Sequence, residues 1–98
     1  MQNQRNDLSD RLLDFATEII KLVAQLNRSA VGRHIASQLI PSSTSAGANY
    51  EEACGAESRA DFIHKLQIVL KELRETLYWL RLTKRSNLVS STTLDVLI

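Results

Sequence analysis

With 98 residues, 44% of them hydrophobic, one proline, three glycines and a formal charge of +1, the chain predicts one small helical domain over residues 1–98. That balance excludes a disordered protein and gives no global bias toward nucleic acid. Cys54 is the only cysteine, which excludes an internal disulfide and fits a reducing cytoplasm.

The first ten residues lack the apolar core of a signal peptide, and no apolar run approaches the roughly 20 residues that span a bilayer. No membrane partner is expected. Leu8, Leu12, Phe15, Ala16, Ile19, Leu22, Val23 and Leu26 repeat with helical period and predict a first helix over about residues 7–27. Asp7, Asp10 and Asp14 would lie near its start, where the helix dipole favours negative charge. A second helix is expected from Ala30 or Val31, with Val31, Ile35 and Leu39 on one face. Pro41 predicts a kink or a fresh helix start. The small residues Ser42, Ser43, Ser45, Ala46, Gly47 and Ala48 would let backbones approach closely, and Gly55 reads as a stop.

A third helix is expected from Ser58, capped with Asp61, to Lys84 or Arg85. It has two apolar faces. Phe62, Ile63, Leu66, Val69, Leu70, Leu73, Leu77 and Leu80 share a stripe about 120° wide, suited to a core. Ile68, Tyr78, Trp79 and Leu82 lie roughly opposite, which points to a second partner and makes them candidates for a subunit interface. Thr92 or Thr93 could cap a short fourth helix.

Charge is uneven. Residues 59–85 carry seven basic and three acidic groups, whereas residues 1–58 carry five basic and seven acidic. Arg59, Lys65, Lys71, Arg74, Arg81, Lys84 and Arg85 are therefore candidate phosphate contacts, although not all on one face. The bland alternative is a solvated face, with the last three complementing the helix dipole.

Asn49, Glu52, Glu72 and Glu75 read as structural polar groups that hydrogen-bond within the bundle or form salt bridges, the last two with groups such as Arg59 or across a subunit contact. Asp61 and His64 give one lone metal-like spacing, far short of a di-iron set. Cys54 reads as a small packed residue, and neither Gly47 nor Gly55 sits in a phosphate loop. No catalytic residue, metal or cofactor is expected.

The run SAGANYEEA at 45–53, followed by SRADFIHKLQIVLKELRETLYWL at 58–80, resembles the bacterial family of proteins encoded within 23S rRNA intervening sequences. The matching positions include Ser45, Gly47, Ala48, Asn49, Glu52 and Ala53. Further along they include Asp61, Phe62, Lys65, Leu66, Glu72, Thr76, Tyr78 and Trp79. The resemblance implies an all-α, antiparallel up-and-down four-helix bundle, here with a short fourth helix, and a homopentamer. A related branch, the accessory proteins of diversity-generating retroelements, binds nucleic acid through basic surfaces. The expectation is thus a non-enzymatic, oligomeric bundle that binds RNA or DNA through repeated basic patches. The alternative is an oligomeric scaffold for a protein partner.

Overall fold

A computed structural model describes residues 2–98, with the side chains of residues 2–6 and 91 outside the description. Four helices follow one another: α1 (Gln2–Leu26), α2 (Ala30–Cys54), α3 (Arg59–Arg85) and α4 (Ser91–Asp95). The fold is an all-α bundle with a short fourth helix. The central element is α2, which packs against α1 on one side and α3 on the other. Among the described residues, no Cα of α1 comes within 8 Å of one in α3.

Local chemistry sets the helix ends. Ser29 caps α2 by accepting the Gly32 N–H at 3.0 Å, and Ser58 caps α3 by accepting the Asp61 N–H at 3.1 Å. Gly55 ends α2 as expected, although its φ of −100° is not left-handed. The turn after α3 places Asn87 at φ 54°, a conformation asparagine tolerates better than most residues. The cap of α4 is Ser90, which accepts the Thr92 N–H, so neither Thr92 nor Thr93 holds that position.

Two expectations about helix shape change. The first helix starts at Gln2, so Asp7, Asp10 and Asp14 all lie beyond the turn where its dipole acts. The second helix runs unbroken through Pro41, with no fresh start. Pro41 is exposed, and the hydroxyls that follow it bond back along the helix. Ser43 donates to the Leu39 carbonyl at 2.7 Å and Thr44 to the Ile40 carbonyl at 2.7 Å.

The core joins Ile19, Leu22, Val23 and Leu26 of α1 to Ile35, Ala36 and Leu39 of α2, and to Leu80 and Leu94. Near its middle the bundle is held by small residues. Ser42, Ser43 and Ala46 are buried, and an added Cβ at Gly47 would touch Leu12 at 3.7 Å. Ser42 and Thr76 share a hydrogen bond of 2.7 Å in the α2–α3 contact, and Thr76 also donates to the Glu72 carbonyl. A Thr76→Val variant keeps the shape and removes that bond. It should lower stability by about 1 kcal/mol in chemical denaturation, because Ser42 loses its shorter hydrogen bond and keeps only the 3.4 Å one to the Leu39 carbonyl.

The leucine stripe of α3 is buried along only one edge, at Val69 and Leu80. Val69, Thr76, Leu80 and Thr83 are buried, whereas Leu66, Leu73 and Leu77 are half-buried and Phe62, Ile63 and Leu70 are exposed. At 100° per residue the buried face is turned by roughly 70° from the stripe. Serines of α2 accept threonine at the contact, and the displaced leucines face the side where α4 covers only one end. Leu8 and Val31 are also exposed, at 40% and 59%, so neither belongs to the core.

Candidate nucleic-acid interface

The basic residues of α3 divide into two sets. Lys65 bonds Glu52 of α2 at 2.7 Å, and Lys84 bonds Asp95 of α4 at 2.6 Å. These two hold neighbouring helices. The Glu52 hydrogen bond and charge raise the Lys65 ammonium above the ordinary lysine value. A lysine raised on folding stabilises fully below its unfolded value, so this contribution fades only as strongly alkaline pH passes through the raised one. Glu52 is exposed and acts through this ion pair, not as a buried hydrogen-bonding group.

The other set is Arg59, Lys71, Arg74, Arg81 and Arg85. All five are exposed, and among the described residues none forms an ion pair. Four of them fall on one face. With 100° per residue, Lys71, Arg74, Arg81 and Arg85 lie within an arc of about 80°. Tyr78, 60% exposed, sits in the middle of that arc. From residue 71 to residue 85 the stripe rises about 21 Å. Glu75 borders it, exposed and without an ion-pair partner among the described residues, and Glu72 is half-buried. Among the described residues, neither glutamate forms the salt bridge expected within the chain. Arg59 is the first residue of α3, about 18 Å along the helix from Lys71 at the near end of the stripe.

The apolar candidates on the far flank are placed differently from one another. Trp79 is half-buried against the core, edge-on to His34 at 5.9 Å and to Tyr78 at 5.2 Å. Its indole N–H is buried with no acceptor among the described residues. Ile68 is half-buried and Leu82 exposed. Asn49 donates to the Ser45 carbonyl at 2.9 Å and is half-buried, in keeping with a structural role. Cys54 is half-buried and forms no disulfide among the described residues.

Two features escaped sequence reasoning. One is the Ser42–Thr76 contact, since threonine and serine do not mark a core. The other is an apolar groove of about 440 Å³ between α1 and α2, walled by Leu12, Leu13, Ala16 and Ile20 and edged by Asp10 and Glu51. Leu13 and Ile20 stand outside the core stripe of α1, and that departure is the signal that could have found it. No helix among the described residues is long and apolar enough to cross a membrane.

The sequence profile of 23S rRNA-intervening sequence proteins matches residues 4–98. No curated protein matches. Among solved structures, a protein of unknown function from the S23 ribosomal protein family of Bacteroides thetaiotaomicron is 40% identical, with a TM-score of 0.87 over 95% of this chain and 83% of that one.

Proposed function

Because the chain belongs to the 23S rRNA-intervening sequence protein family, we propose that it is a non-enzymatic bundle that binds structured RNA or DNA through the outer face of α3. The observation that carries this reading is the stripe of Lys71, Arg74, Arg81 and Arg85 around the exposed ring of Tyr78. Free cations of one sign on a rigid helix suit a phosphate backbone, and an exposed aromatic among them suits an unpaired base. Anisotropy titration of labelled hairpin RNA and duplex DNA tests it. Tyr78→Ala should weaken binding to unpaired bases about 5- to 20-fold, within the range for one lost stack. Equal binding by the variant would remove Tyr78 from the contact.

Self-association belongs to the same reading. Leu13 and Ile20 are 65% and 54% exposed beside the α1–α2 groove, and Leu82 and Ile68 lie on a different face. Two unlike apolar faces pair head to tail, which closes into rings such as the homopentamer the sequence resemblance implies. The acidic groove edge, Asp10 and Glu51, complements the basic α3. Each stripe would then recur around the ring and add by avidity. Leu13→Glu with Ile20→Glu should lower the sedimentation mass while the circular dichroism spectrum stays helical. An unchanged mass would reject this face.

A further inference from the structure

The basic stripe of α3 belongs to one straight polar row. Gln67, Lys71, Arg74, Tyr78, Arg81 and Arg85 follow one another at steps of three and four residues, and all six are exposed. Such steps keep to one line along a helix, with a drift of only about 20° per seven residues. The line faces away from the bundle. Thr76 and Leu80, which are buried, each lie about 160° around the helix from Tyr78.

The flanks of the row carry no second line of free cations. Glu75 and the half-buried Glu72 stand on one side, Leu70 and Leu77 on the other. Lys84, on the leucine side, is held by Asp95 at 2.6 Å. A helix lying in a duplex groove has a phosphate backbone along each of its sides, so it needs cations on both flanks and base-reading groups between them. Here a second backbone would meet carboxylates or leucines. The major groove of duplex RNA is in addition too deep and narrow for such a helix to read. A single strand needs one line of cations, and α3 offers one.

Tyr78 points the same way. Base faces inside a duplex are covered by their neighbours, so an aromatic ring stacks on a base only where the base is unpaired. Along the axis Arg74 lies about 6 Å before Tyr78 and Arg81 about 4.5 Å after it. The Tyr78 ring packs against Trp79 at 5.2 Å, with the two planes 82° apart, and is still 60% exposed. It is held in place and open to solvent.

We infer that the row takes an unpaired polynucleotide segment, such as a hairpin loop, in preference to a duplex stem, which rests on the nucleic-acid role proposed for the stripe and narrows its ligand class. The strand runs along α3 with its phosphates on Lys71, Arg74, Arg81 and Arg85 and one base on Tyr78. The stripe of about 21 Å spans about six nucleotides at the roughly 3.4 Å spacing of a stacked strand. Gln67 offers its amide to a base edge beyond Lys71.

The probe is a labelled RNA of about 12 nucleotides without self-complementarity, used alone and annealed to its complement as a blunt duplex. Anisotropy at about 50 mM salt should give at least tenfold tighter binding for the single strand, although the duplex carries about twice the charge. Tyr78→Leu should cut that preference to threefold or less, and Tyr78→Phe, which keeps the ring, should preserve it. Both variants change an exposed side chain and should leave the circular dichroism unchanged. Salt-dependent binding of the duplex as tight as that of the single strand, or a full preference retained in Tyr78→Leu, would overturn the single-strand site and leave the basic stripe standing. No binding of either form would overturn it together with the nucleic-acid role.

Discussion

Replacing Gly32 with alanine is expected to lower the melting temperature by more than 10 °C, at roughly 4–8 °C per kcal/mol for a domain of this size. A Cβ at Gly32 would stand 1.8 Å from the Leu26 carbonyl oxygen and 2.7 Å from its carbon. Both atoms are backbone, so no side-chain rotation relieves the clash. Leu26 is itself core, 1% exposed, and Ser29 between them caps α2 through the Gly32 N–H. Opening the α1–α2 turn would therefore disturb a core side chain and a cap together. Overpacking of this kind costs about 3 kcal/mol or more. Gly55→Ala is the matched control, because a Cβ there meets only the Glu52 oxygen at 3.9 Å. Thermal denaturation followed by circular dichroism compares the two. Equal melting temperatures would mean that the turn carries no tight approach.

Reversing Arg74, Arg81 and Arg85 together to glutamate is expected to weaken RNA binding at least 100-fold at about 0.1 M salt, and to flatten its salt dependence. These side chains are exposed and bond to nothing else among the described residues, so the fold should survive, as circular dichroism can verify. Each phosphate contact contributes about −0.7 to −0.9 to the slope of log K against log salt, so three lost contacts should reduce it by about 2 per chain. Lys84→Gln is the contrasting variant. Its ammonium is held by Asp95, so it should loosen α4 and leave RNA affinity nearly unchanged.

The helices were legible in the chain because their signals are local. The cap at Ser58, the stop at Gly55 and the period of the leucines all reflect short-range chemistry. The rotation of α3 was not legible. Counting leucines placed the core on Leu66 and Leu70. The buried face instead includes Thr76, whose hydroxyl meets Ser42 of α2, and Thr83, whose hydroxyl bonds the Trp79 carbonyl. Which face of a helix is buried depends on the shape of its neighbour, and the period of one segment does not contain that shape. The same limit applied to the basic residues. All seven were visible as a charge imbalance, but only partner helices separate Lys65 and Lys84, which are paired, from the free stripe. Pro41 showed a weaker limit, since α2 runs unbroken past this exposed proline.

The most direct test of the central claim is the salt dependence of hairpin RNA binding by the nuclease-treated protein. Binding that weakens as salt rises from about 50 to 200 mM, with a log–log slope of about −2 or steeper, is expected if the α3 stripe contacts phosphates. No binding at the lowest salt, or binding that ignores salt, would contradict it and leave Lys71, Arg74, Arg81 and Arg85 as solvated surface.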